Sequence, residues 1–357
     1  MAIFKNIWTH FKSSPLSGEK PKIMCTLGTS TDNPEVLKEM HSHGFEMARI
    51  NTKHAAISDY ERRVGLLRDV IDIPVMLDLN GPQIRLLTDK RYAIPQGEKF
   101  LVGYENGGIR FNQNIIPELE KGEFVLLGNG SVRTTVVRKG NGLVELQVLE
   151  PGENERIVPN MGVNVPGKRF RNLKVLTEKD DKVIDFGVGN MIGHFALSFV
   201  RNFQEVQILN QAIEAAKERR KVEFEHTITI KVEDVEGIEN LEGILDGCHQ
   251  SSIKTMVMIA RGDIFIELPP SKMPFIQKQI IGLCKKKRVP SIVATGLLLS
   301  MQENPVPTRA EVSDVANAIV DGADWLMLSD ETSNSHYPVE AVMMLEEVME
   351  AWVSHHR

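Results

Sequence analysis

The chain has 357 residues, enough for one large barrel and a smaller module. Its 42% hydrophobic and 25% charged residues describe an ordinary soluble globular protein, and a net charge of -6 with no basic block argues against nucleic-acid binding. No apolar run reaches the ~18 residues of a membrane span. Three cysteines (Cys25, Cys248, Cys284) lie far apart without metal-site spacing, which points to a reducing cytoplasm.

Residues 1–20 place Ile3, Phe4, Ile7, Trp8 and Phe11 at helical spacing. Lys5 interrupts them and no small-residue cleavage site follows, so a docking helix is expected rather than a signal peptide. Pro21 to Gly28 then reads as a strand, Asn33-Pro34 opens a helix through His43, and Glu46 to Ile50 is a strand delivering Arg49, Asn51, Lys53 and His54. A helix from Ser58 to Asp69 leads to the strand Ile73 to Leu77, which ends at Asp78. Strand–helix–strand at this interval predicts a parallel sheet with helical crossovers.

The period changes from about Thr88 to Phe170. Short alternating runs (Glu123 to Leu127, Ser131 to Arg138, Leu143 to Leu149) are joined by Gly128-Asn129-Gly130 and Gly140-Asn141-Gly142, which is hairpin chemistry. We expect an all-β insertion over 88–171 within a (β/α)8 barrel made of 21–87 and 172–357.

Two later strands carry the chemistry. Thr227 to Ile230 runs into Lys231-Val232-Glu233, and Thr255 to Ala260 runs into Arg261-Gly262-Asp263. Lys231 and Glu233 are two apart, so on a strand they share a side. A lone strand-end charge is ordinarily solvated. A cation, two carboxylates and a glycine at barrel strand ends instead suit a phosphate or enolate held by a divalent metal.

The run IKVEDVEG followed by MIARGD resembles the core of pyruvate kinase, whose pattern is K-I-E-N-x-E-G and then V-A-R-G-D. PKIMCTLGTST, ARINTKH, LDLNGPQIR, VATGLLLSM, PTRAEVSDVANAIVDGADWLMLSDET and YPVEAV resemble other segments of that family, in family order from about Pro21 to Ala351. The resemblance implies Mg2+-dependent phosphoryl transfer from phosphoenolpyruvate to ADP, giving pyruvate and ATP, with Mn2+ able to stand in for Mg2+. It implies that Lys231 faces the transferring group and that Glu233 and Asp263 hold the metal. Gly262 would receive the substrate carboxylate on its backbone, Thr295 would help protonate the enolate, and Arg49 would clamp phosphate. Ser198 would line the substrate pocket, with Arg201 near it, and Arg85, His54 and Asn51 would serve the nucleotide. The β insertion would be a lid over the site. A homo-oligomer through the barrel is expected, and the chain reads as a short, divergent member in which nothing corresponds to the family's C-terminal effector domain.

Several positions depart from the family. Lys53 and Leu79 replace a serine and a threonine that bind potassium together with the equivalents of Asn51 and Asp78, and Gln83 replaces a glutamate associated with potassium dependence. Leucine offers no oxygen to a hard cation, so we expect the Lys53 ammonium to take the potassium position, paired with Asp78, and potassium not to be required. Met161 stands where the family has a nucleotide-binding lysine, with Lys168 or Arg169 as possible replacements. Gly128-Asn129-Gly130 replaces Asp-Asp-Gly, Gly296 a glutamine and Asp330 a glycine. An enolate site with an eroded nucleotide side leaves two alternatives open: a Mg2+-dependent lyase or decarboxylase acting on a pyruvate-related 2-keto acid, or a catalytically weak phosphoenolpyruvate-binding homologue.

Overall fold

The computed structural model describes residues 20–53, 56–105, 108–128, 130–152 and 156–355. The expected N-terminal helix, His54 and Asn129 lie outside the described residues. Eight parallel strands close a barrel: β1 (Lys22–Thr26), β2 (Phe45–Asn51) and β3 (Val75–Asp78), then, after the β insertion, five more. The insertion supplies β4 (Arg85–Thr88), β5 (Tyr92–Ala93), β6 (Lys99–Val102), β7 (Ile109–Phe111), β8 (Phe124–Leu127), β9 (Val132–Gly140), β10 (Leu143–Glu150), β11 (Arg156–Ile157) and β12 (Met161–Asn164). The barrel resumes with β13 (His194–Leu197), β14 (Thr227–Val232), β15 (Thr255–Ala260), β16 (Ser291–Ala294) and β17 (Trp325–Leu328). Its order around the ring is β1-β17-β16-β15-β14-β13-β3-β2.

The crossover helices are α1 (Pro34–Ser42), α2 (Ile57–Val70), α3 (Glu178–Gly189), α4 (Phe203–Arg220), α5 (Val235–Gln250), α6 (Arg261–Glu267), α7 (Met273–Lys287), α8 (Arg309–Asp321), the single turn α9 (Asp330–Ser333) and α10 (Pro338–His355). Their starts follow local chemistry. Asn33 caps α1 by accepting from Glu35 N at 2.9 Å, and Asp234 caps α5 by accepting from Gly237 N at 2.8 Å. No helix among the described residues is long and apolar enough to cross a membrane.

The period-2 alternation of the strands sorts the barrel into two shells. Ile228, Ile230 and Val232 face the helices in the outer core, whereas Met24, Met47, Met76, Ala196, Met256, Met258, Ile292, Ala294 and Met327 fill the inside. Two residues beyond Met47, Met76 and Ala196, on the same side of each strand, come Arg49, Asp78 and Ser198. Lys231 is the corresponding inward position of β14. The polar layer is thus the next inward layer above a thioether-rich floor.

Inside the β insertion, seven strands order as β6-β10-β9-β8-β12-β4-β7 with antiparallel pairing. The loop from β9 to β10 is the two residues Asn141 (φ 53°) and Gly142 (φ 73°), the doubly left-handed turn that Asn-Gly favours. The chain enters the insertion through Gly81, at φ 59°, where an added Cβ would lie 2.7 Å from the Ser198 carbonyl oxygen. Only glycine fits there.

Candidate active site

The C-terminal ends of β2, β3, β13 and β14 converge on one buried polar cluster. Lys231, 3% exposed, directs its ammonium to Ser198 Oγ (2.8 Å), Glu233 Oε1 (3.0 Å) and Asp78 Oδ1 (3.1 Å). Asp78 accepts from Arg49 Nε at 2.7 Å on its other oxygen, and Arg49 Nη1 donates to Thr26 Oγ1 at 2.9 Å. Glu233 Oε2 accepts from Phe199 N at 2.6 Å. Every charge in this cluster has a counter-charge, which a buried ion needs.

The electrostatics follow from that pairing. Burial alone would depress Lys231, but Asp78 and Glu233 outweigh it and hold the ammonium above its ordinary pKa. Burial likewise opposes ionisation of Asp78, yet Lys231, Arg49 and Lys53 hold its carboxyl far below the carboxylate range. Asp263 goes the other way: burial, then repulsion from Glu233, raises it to about 7. Glu233 and Asp263 resist ionising together, and a divalent metal would relieve that repulsion. Mg2+ typically takes one or two carboxylates and fills its remaining sites with water and substrate oxygens, so Glu233 and Asp263 fit it. Among the described residues no cluster of three or more His, Cys, Asp or Glu forms an all-protein cage.

A cavity of about 910 Å3 opens above this cluster. Lys231, Glu233, Asp263, Thr295, Arg49 and Asn51 line its barrel side, and Arg85, Gly128, Asn160 and Met161 line the side of the β insertion. Arg85 is braced by the Asn160 carbonyl (2.7 Å) and Gln83 Oε1 (2.8 Å). Most of the anticipated residues therefore meet in one place.

Three expectations need correction. Ser198 does not line the cavity: it is fully buried, accepts from Lys231 and donates to the Leu79 carbonyl at 2.9 Å, so it positions the lysine. Arg261-Gly262-Asp263 is not a strand end but the first turn of α6, because the backbone becomes helical immediately after Ala260. A Cβ at Gly262 would lie 3.1 Å from Thr295 Cγ2, so a side chain there would crowd the threonine. Lys53 does not form the expected pair with Asp78 among the described residues, because Arg49 and Lys231 already occupy that carboxylate. The Lys53 ammonium instead sits in the shared field of Glu233, Asp78 and Asp263. Burial, then Lys231, lowers its pKa against their pull.

Neither basic residue considered as a replacement for the missing lysine is free. Lys168 is bound to Glu123 at 2.7 Å, and Arg169 is paired with Glu239. Arg201, expected near the substrate, pairs with Asp234 at 2.8 Å. Met161 brings only a thioether to the cavity wall.

The barrel-domain description of the pyruvate kinase family matches residues 18–342. The chain belongs to the pyruvate kinase family. It is 36% identical over 344 residues to a pyruvate kinase of Staphylococcus epidermidis, covering 92% of this chain and 56% of the relative. A pyruvate kinase of Staphylococcus aureus is 34% identical over 344 residues with the same coverage. A crystal structure of a pyruvate kinase from Cryptosporidium parvum superposes with a TM-score of 0.81 at 29% identity, covering 94% of this chain and 69% of that one. The chain thus spans a little over half the length of the curated relatives it matches. Pyruvate kinase names among these relatives do not favour the lyase, decarboxylase or weak-binding alternatives.

Sequence reasoning missed part of the pyruvate kinase-like cavity. Gly28, Thr29, Asp59, Arg63, Ser333 and Asn334 also line it, and Gly28 and Thr29 lie against the Ser333 backbone. These residues carry no spacing signal, because they come from loops and helices far apart in the chain. Asp330, noticed as a replacement for glycine, does face this cavity. Met258 and Met327 form its floor, and their apolar character made them look like core alone.

Proposed function

We propose that the chain catalyses phosphoryl transfer from phosphoenolpyruvate to ADP, with Mg2+ held by Glu233 and Asp263. The observation that carries this reading is the meeting of Lys231, both carboxylates, Arg49, Arg85 and Thr295 in one cavity of a pyruvate kinase family barrel. Mg2+ when bound would neutralise charge on the phosphate and enolate oxygens. The remaining work belongs to side chains. The Lys231 ammonium, kept protonated by Asp78 and Glu233, lies against the transferring group and offsets its charge. Arg49 and Arg85 grip phosphate oxygens with planar, permanently charged donors. Thr295 offers a hydroxyl to the substrate and helps a proton reach the enolate carbon. The β insertion covers the cavity and excludes water. Wild-type protein should form pyruvate from phosphoenolpyruvate only with both Mg2+ and ADP, and EDTA should abolish it. ADP-independent pyruvate formation would overturn the reading.

Lys53 supports a finer point. Its ammonium brings positive charge near Asp78, Glu233 and Asp263, where Leu79 offers an alkali cation no oxygen. Turnover in sodium-only buffer should therefore equal turnover in potassium buffer to within about twofold. A strict potassium requirement would sink this part of the proposal.

The setting is read as cytoplasmic, since Cys25, Cys248 and Cys284 are buried and unpaired. The partner we infer beyond small molecules is a second copy of this chain. Phe265 (52% exposed), Phe275 (48%), Leu299 (49%) and Val306 (68%) are large exposed apolar side chains between α6 and the loop before α8, which is where we place the contact. Light scattering should give twice the chain mass, and Phe275→Glu should halve it. A monomeric wild type would remove this inference.

A further inference from the structure

We propose that Arg261 is a positioning residue whose guanidinium holds Thr295 in a strained backbone conformation and thereby fixes its hydroxyl in the cavity. This rests on the phosphoryl-transfer reading for its kinetic consequence, but not for its structural one. Thr295 follows β16 with φ 75°, and Gly296 continues at φ 69°. Glycine accepts that left-handed region freely, whereas a β-branched threonine is a true outlier there and persists only when its surroundings impose it.

The imposing contacts are specific. Arg261 lies in the first turn of α6, next in sequence to Gly262 and two residues before Asp263, and is 5% exposed. It donates twice to one acceptor, the Thr295 carbonyl oxygen, from Nε at 3.0 Å and Nη2 at 2.8 Å. Its third nitrogen, Nη1, reaches away to Asp314 Oδ2 on α8 at 2.7 Å and Gln277 Oε1 on α7 at 3.3 Å. Three helices thus anchor one planar group against one carbonyl. On the other side, Gly262 leaves room for the Thr295 methyl, which would lie 3.1 Å from a Cβ at that position. The carbonyl is held by two donors of a group that is itself anchored, which opposes the rotation that would relax φ. Lysine can keep the Asp314 pair but cannot donate twice to the carbonyl and bridge to α8 at once.

If Arg261 only tied α6 to α8, its loss would cost stability without selectivity for Thr295. The brace predicts coupling between the two positions. In full-length protein we would measure Arg261→Lys, Thr295→Gly and the double variant for ADP-dependent pyruvate formation and for thermal melting, with Arg261→Gln as a second variant that also removes the charge. Arg261→Lys should lower kcat by about 10²-fold, the scale of a small misplacement of a reacting group, while KM for phosphoenolpyruvate stays within about threefold. In the Thr295→Gly background, where the backbone is unstrained, the same change should alter kcat by less than about twofold and lower Tm by less than it does in wild type. An unchanged kcat in folded Arg261→Lys, or an equal further loss in the double variant, would overturn the proposal. Should wild type show no phosphoenolpyruvate turnover at all, the functional reading fails, and additive Tm changes would then refute the brace while a reduced effect in the glycine background would support it.

Discussion

Lys231→Met is expected to lower ADP-dependent pyruvate formation by at least about 10³-fold, the scale seen when a cation that stabilises a transferring phosphoryl group is removed. Methionine matches the length of the lysine stem and keeps its apolar packing, so the change isolates the charge. The ammonium touches Asp78, Glu233 and Ser198, and no other cation takes all of these contacts. Asp78 would keep Arg49 and Glu233 would keep the Phe199 N–H, so the fold should survive even though breaking a buried pair costs about 3–5 kcal/mol. Melting curves recorded beside the rates would separate lost chemistry from lost structure. A folded Lys231→Met chain retaining more than about a tenth of wild-type kcat would refute the assigned role.

Asp78→Ala should be the most destabilising single change in the barrel mouth. This one carboxylate, fully buried, receives Arg49 through Nε at 2.7 Å and Nη2 at 2.6 Å, and Lys231 at 3.1 Å. Without it, Arg49, Lys231 and Lys53 would share a pocket with Glu233 as the nearest ionised partner. We expect a loss of about 3–5 kcal/mol, which for a chain of this size lowers Tm by roughly 10 °C. The pH dependence has a definite sign. The folded-state pKa of Asp78 is depressed, so its contribution is fully present above the unfolded carboxyl value of about 3.9 and is lost as pH falls below it. The Tm gap between wild type and variant should therefore hold steady from pH 7 to pH 5 and narrow below about pH 4. A gap absent at pH 7, or undiminished at pH 3, would count against this account.

Much of the barrel was legible because its signals are local. Alternation along Thr227 to Glu233 put Lys231 and Glu233 on one side, and they are indeed an ion pair at 3.0 Å. Asn141-Gly142 specified its own hairpin, and Asn33 its own helix start. The α6 boundary was misread because Arg-Gly-Asp has no strong helical signature and follows a strand without a spacer. Met258 and Met327 were invisible as site residues because an inward methionine at mid-barrel and one beneath a cavity look alike in sequence.

The sequence by itself determined which side chains point inward and which motifs close each strand, since both depend on backbone periodicity and on turns of a few residues. Closure of the barrel decided which of them touch. Asp78 and Lys231 are 153 positions apart, and their contact exists only because β3, β13 and β14 are neighbours in the ring. The same closure diverted Ser198 from substrate to lysine, left Lys53 outside the Asp78 pair, and set Arg261 against the Thr295 carbonyl. A side chain's identity is carried by the chain, but its partner is chosen by whichever strand the fold places beside it.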